Sequence, residues 1–294
     1  MRRGIGAPLV LLALTVLGLA VHAAPQRPPQ RIVSVVPAVT EMLFAIGAGP
    51  AVVGVSSYDT YPPEARTRPK VGALLDPDFE RILSLRPDLV VTYATQTDLQ
   101  QRLRNASIPT FDYESLGVAE TLTTLRTLGT RVGRRSEADR VADGIQRDLD
   151  AVRQRVAGRP RPKTVLVFAR EPGALRGVYA SGGVGFLSDL LDIAGADNAL
   201  GDMKRPSVQV STELLIARAP DVVIEVRAAD GWTDERRRLE HDVWAALPSL
   251  PAWRTGRVYL LTDDRLGVPG PRIAESARML ARVLHPEVPE PGAP

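Results

Sequence analysis

No cysteine occurs anywhere in the 294 residues. A disulfide framework is thereby excluded, and so is the cysteine that a lipid-anchored exported protein needs at its cleavage point. Histidine is almost as scarce: of three, one lies in the leading segment, leaving His241 and His285. They form no pair at metal-ligand spacing, and each reads as a residue on a helix surface or at a helix end. A Gly-rich phosphate loop and a G-x-S-x-G elbow are missing as well. Asp88 and Asp221 offer a carboxylate pair, but each follows a proline at a turn, where aspartate has a structural use. The residues carry no catalytic constellation, so neither an enzyme nor a metal site is expected. Excess charge of one sign is also lacking: the formal balance is +3, falling to +1 without Arg2 and Arg3. That does not describe a nucleic-acid surface.

What is present begins with Arg2 and Arg3, an apolar run from Ala7 to Val21, and the exit Val-His-Ala-Ala. A charged start, apolar middle and small-residue exit make a secretory signal over residues 1–23, with cleavage after Ala23. The run is short for a span of about 20 residues, so export to a periplasm without an anchor is expected.

The mature chain uses one stretch twice. Residues 78–91 read DFERILSLRPDLVV and residues 211–224 read STELLIARAPDVVI, an offset of 133. Each copy reads as a short helix, a Pro-Asp turn and a strand. Asp78 and Ser211 have side-chain oxygens suited to capping the helix. Leu89–Val91 and Val222–Ile224 are apolar runs of the kind covered on both faces. The openings RIVSVV at Arg31 and KTVLVF at Lys163 repeat at nearly the same offset, so the repeat spans whole lobes.

Strands alternating with helices at this spacing predict an α/β fold with mostly parallel sheets. The N-terminal lobe is assigned to 28–134 and the C-terminal lobe to 162–285. A single stiff helix over 136–157 is expected to join them, capped by Ser136, with Gly129 to Arg135 interrupting the helical pattern before it. The tail 286–294 has too little apolar surface to fold.

A ligand is expected between the lobes, beyond the carboxyl ends of the strands. Those positions are Tyr58, Tyr93, Phe168, Arg170, Arg227 and Asp264. Aromatics there suit a flat or bulky molecule held by area and a few polar contacts. Tyr93 and Phe168 read equally as core residues at strand ends. Glu80 and Glu213, at matched positions, have two readings. A carboxylate in the first helical turn is worth about 0.3–1 kcal/mol through the helix dipole. Alternatively, matched acids on two lobes dock onto matched basic sites.

The segments RIVSVVPAVTEMLFAIG, GVSSYDTYPPEA, DFERILSLRPDLVV and VSTELLIARAPDVVI resemble the substrate-binding proteins of ABC importers for cobalamin, haem and ferric siderophores. The resemblance runs over roughly residues 31 to 285 and is strongest to the cobalamin-binding branch. It implies two Rossmann-like lobes joined by one long helix. It also implies a monomeric periplasmic receptor, with no cofactor beyond its ligand, that delivers a corrinoid to an inner-membrane permease. Tyr58 and Tyr93 match aromatics that face the corrin; Phe168 and Asp264 match further cleft residues. Glu80 and Glu213 match acids that meet arginines of the permease. Leu74 and Pro206-Ser207 stand where that branch has tryptophan, with Trp232 as a substitute wall. Haem, through Tyr58 or Tyr61, is an alternative ligand. So is a ferric siderophore, through Arg170, Arg176, Arg227 and Arg265. A chelatase-like enzyme is the alternative class.

Overall fold

Ile32–Ser34 (β1) is fully buried and forms the centre of the first sheet. The computed structural model describes residues 27–114, 117–229 and 231–288. The segment expected to be a secretory signal, residues 1–23, and residues 289–294 of the tail lie outside that set.

The N-terminal lobe continues with α1 (Pro37–Ala45), β2 (Val52–Val55), α2 (Pro63–Arg66), α3 (Phe79–Ser84), β3 (Leu89–Tyr93), α4 (Thr97–Asn105) and β4 (Thr110–Tyr113). The sheet order is β2-β1-β3-β4, all parallel. Pro37 opens α1 at a position where its missing N–H costs nothing. The hairpin α5 (Val118–Arg131) and α6 (Arg135–Val156) follows. The C-terminal lobe holds β5 (Lys163–Ala169), β6 (Val178–Ser181), α7 (Phe186–Ile193), β7 (Asp197–Asn198), β8 (Ser207–Val210), α8 (Thr212–Arg218) and β9 (Val222–Arg227). It ends with α9 (Asp234–Asp242), α10 (Pro251–Arg254), β10 (Val258–Thr262) and α11 (Ile273–Leu284). Its order is β10-β9-β5-β6-β8, with β7 beside the start of β5. Strands β10, β9 and β5 are parallel, whereas β6 runs antiparallel to both neighbours. Strands β6 and β8 went unread in the sequence because four-residue strands amid glycine and polar residues carry little periodic signal.

The repeat holds down to single hydrogen bonds. Asp78 accepts from Arg81 N at 2.9 Å and Ser211 from Leu214 N at 3.2 Å, so both helices carry their expected caps. The turn aspartates are structural, as read. Asp88 accepts from Gln30 N and Arg31 N at 2.8 Å, and Asp221 from Lys163 N at 2.9 Å. Each pins the repeat turn to the start of its lobe's first strand. The residues before the two prolines, Arg86 and Ala219, share a left-handed backbone with φ of 47° and 45°.

Two expectations about the connector change. Helix α6 starts at Arg135 with no side-chain cap, so Ser136 lies inside the helix. Gly129 does not interrupt; it belongs to α5, where an added Cβ would collide with Ala138 of α6. The glycine lets the two helices approach. Helix α6 then buries Ala138, Ala142, Ile145, Leu149, Val152 and Val156 at alternating spacings of four and three. Its 22 residues span about 33 Å.

One hydrophobic cluster runs from the first sheet through α5, α6, α7 and α11 to one face of the second sheet. Leu166 belongs to it, while Val165 and Val167 point into a separate cluster around Trp244, the two-residue alternation of a strand. Polar ties reinforce the seam between lobes. Asp189 of α7 accepts from Val118 N at 2.9 Å, capping α5 from the other lobe. Glu41 of α1 holds Arg272 by two hydrogen bonds of 2.5 and 2.9 Å, with the Tyr61 ring 3.9 Å from that guanidinium.

Candidate functional site: a cleft between the lobes

Parallel strands end in loops on one edge of each sheet, and the two edges face each other across a cleft of about 1520 Å³. The N-terminal wall comes from the segments after β1 and β2, the last residue of β3 and residues 73–76. The opposite wall comes from the ends of β5 and β9, the start of α7 and the turn after β10.

Five of the six residues placed in the cleft from sequence line it: Tyr58, Tyr93, Phe168, Arg227 and Asp264. Tyr58 is 74% exposed and stands free in the opening. Tyr93 is half-buried, packs edge-on against Tyr113 and presents the rest of its ring to the cleft. It thus packs against the core and lines the cleft at once. Its hydroxyl is pushed above the usual phenol range by burial and then by the nearby Asp59 carboxylate. Phe168 is half-buried at the end of β5 and belongs to neither hydrophobic cluster. Asp264 accepts from Ala229 N at 2.9 Å and so fixes the loop after β9.

Arg170 corrects the sixth placement. Its side chain is 0% exposed and lies off the cleft, 3.1 Å from Glu225 and 2.7 Å from Glu240. The other arginines named for an anionic ligand are also committed. Arg227 pairs with Glu225 at 2.6 Å, Arg176 with Glu171 at 2.9 Å, and Arg265 with Asp263 and Glu275 at 2.6 and 2.7 Å. The Arg265 guanidinium in turn holds the Asp263 carboxyl below its usual range. Tyr61 lies outside the lining, stacked on Arg272, which leaves Tyr58 as the exposed phenol of the cleft lining. His241 sits on α9 beside Asp242 and Trp253, and His285 is buried against Gly195 O. Among the described residues no group of three His, Asp or Glu side chains converges to hold a metal.

Sequence reasoning missed the apolar lining at Leu75, Phe186, Leu187, Val268 and Pro269. Leu75 is 93% exposed. Leu74 and Pro206-Ser207, the departures from the resembled pattern, line the cleft, and Trp232 lines it too. The indole donates to Ala228 O at 2.8 Å, and the Arg236 guanidinium stacks 4.6 Å from its ring. Chain direction gave no signal for the missed apolar residues, since α7 follows the antiparallel β6 and Leu75, Val268 and Pro269 lie in loops.

Glu80 and Glu213 are exposed at the second position of α3 and α8. Glu80 makes one loose ion pair, 3.6 Å from Arg102. The Glu213 carboxyl is held low by its own backbone N–H and by the Ser211 hydroxyl. Each acid follows closely in sequence on residues that line the cleft, Asp76 in one lobe and Ser207 in the other.

Two α/β lobes on a helical seam, with aromatics gathered in the cleft between them, give the architecture of a two-lobed binding protein. The chain belongs to the periplasmic binding protein family, whose profile matches residues 32–265, and so to the substrate-binding components of ABC transporters. It is 30% identical over 278 residues to the vitamin B12-binding protein of Salmonella typhimurium, covering 94% of this chain and 96% of that one. A periplasmic haem-binding protein from Pseudomonas aeruginosa superposes with a TM-score of 0.78 at 23% identity, over 90% of this chain and 96% of the other. The Vibrio cholerae periplasmic vitamin B12 binding protein BtuF gives 0.74 at 23%, over 87% and 97%. At those identities the two structural likenesses establish fold.

Proposed function

We propose that this protein is a periplasmic receptor that binds a corrinoid between its lobes and presents it to an inner-membrane ABC permease. The observation that carries the reading is the cleft. Its volume of about 1520 Å³ exceeds the roughly 300–1000 Å³ usual for small-ligand pockets, and its walls are aromatic and aliphatic. Such walls suit the large, neutral, amide-fringed face of a corrinoid. Arg170, Arg176, Arg227 and Arg265 each pair with a carboxylate, which argues against their holding an anionic siderophore. The 30% identical vitamin B12-binding relative points the same way. Export by the signal at residues 1–23, release from the membrane and a monomeric state belong to this reading. Glu80 and Glu213 serve as the docking acids.

Haem is the second reading, favoured by Tyr58, whose exposed phenol is a competent iron ligand. Absorbance titrations with hydroxocobalamin and with haemin separate the two. The corrinoid reading expects saturable binding of hydroxocobalamin that survives Tyr58→Phe. A haemin spectrum abolished by Tyr58→Phe, with no binding of hydroxocobalamin, would replace it with the haem reading.

A further inference from the structure

Helix α9 has an unusual composition for a helix packed on a domain. It reads DERRRLEHD, and its one buried residue is Glu240. Leu239, the only aliphatic side chain in it, is 63% exposed. No apolar stripe holds this helix to the lobe. Apolar anchoring starts beyond its C-terminus, with the fully buried Trp244. Yet the opposite end matters most to the cleft, because Trp232, just before the helix, and Arg236, in its first turn, both line it.

What holds the helix is charge. Arg170 donates from Nη2 to Glu240 O at 2.7 Å, and its Nη1 lies 2.7 Å from the Glu240 carboxylate. The same carboxylate accepts from Gly173 N at 3.2 Å. Arg170 Nε meets Glu225 of β9 at 3.1 Å; Glu225 also accepts from Trp244 and pairs with the cleft residue Arg227. Two arginines thus balance two glutamates in the buried network, with every carboxylate oxygen bonded. Removing one partner of such a pair strands a buried charge, so the network resists partial dissolution.

We propose that the Arg170–Glu240 pair is a pin that sets the position of the Trp232–Arg236 wall, making Arg170 a positioning residue for the cleft's ligand. The inference rests on the ligand-cleft reading above. It also explains why an arginine at a strand end, well placed for a ligand, points away from it.

The absence of cysteine makes a clean test available. Arg238→Cys, on the exposed side of α9, gives one thiol for a nitroxide label. With the pin intact the nitroxide spectrum should report an ordered helix. Glu240→Gln, which keeps the shape and removes the charge, should add a mobile component. It should also weaken hydroxocobalamin binding about tenfold, the equivalent of about 1.4 kcal/mol. Leu239→Ala, beside it on the same helix, should change neither. If the glutamine variant does not fold, Arg170→Lys carries the test, because an ammonium cannot span both glutamates, and the same mobile component is expected. An unchanged nitroxide spectrum in the folded variant would overturn the pin. The nitroxide result needs no ligand. It therefore decides the pin even if the unmodified chain binds neither hydroxocobalamin nor haemin, a failure that would count against the cleft reading alone.

Discussion

Asp59 lies beneath the loop that carries Tyr58, 3% exposed, and neither of its carboxylate oxygens has a hydrogen-bond partner. The Thr40 hydroxyl beside it bonds Ser34 Oγ at 2.9 Å, and Lys70 reaches only the Asp59 backbone carbonyl, also at 2.9 Å. Burial is the main force on the group and pushes its pKa from an ordinary 3.8 to about 7. The folded protein therefore holds a proton that the unfolded chain releases near pH 4. The associated stability is full below pH 3.8 and lost as pH rises through about 7. At about 1.4 kcal/mol per pH unit the loss amounts to about 4 kcal/mol by pH 8. Asp59→Asn keeps the shape and cannot ionise. It should match the parent near pH 4 and exceed it by a few kcal/mol at pH 8. Urea unfolding of both chains between pH 4 and 9 measures the difference. Other titrating groups, including the buried Glu41, are common to both chains and largely cancel. A difference that does not change with pH would refute the argument. So would an asparagine variant less stable at pH 8, because ionised Asp59 would then have a favourable partner.

Three other outcomes are expected. Tyr93→Ala should weaken hydroxocobalamin binding by about 1–3 kcal/mol in titration calorimetry while costing the empty protein less stability than a core truncation, since the side chain lines the cleft and is only partly buried. The double change Glu80→Ala with Glu213→Ala should abolish pull-down of the permease and slow uptake with ligand affinity intact. A role limited to the helix dipole would instead give a small loss of melting temperature and normal transport. Terminal sequencing of protein released by osmotic shock should find the mature chain starting at Ala24 or one residue later.

The two-lobed plan was legible because it is written in local chemistry. A cap oxygen acts on an amide three residues away, as Asp78 and Ser211 do, and an apolar run such as Val222–Ile224 is a strand wherever it lands. The aromatic cleft positions followed from the same strand ends. The sequence by itself thus determined the repeat, the capped helices, the connecting helix and most of the cleft's aromatic lining. Tertiary structure decided the fate of the charges. Arg170 meets Glu240 and Glu225 across 70 and 55 residues, and Glu41 meets Arg272 across 231. No periodicity encodes such pairs, because a buried charge takes whichever partner the fold delivers, and desolvation makes that choice obligatory. Asp59 shows the converse. It follows Ser56, Ser57 and Tyr58 in a polar stretch, and only the fold shows that its carboxylate is buried, 3% exposed.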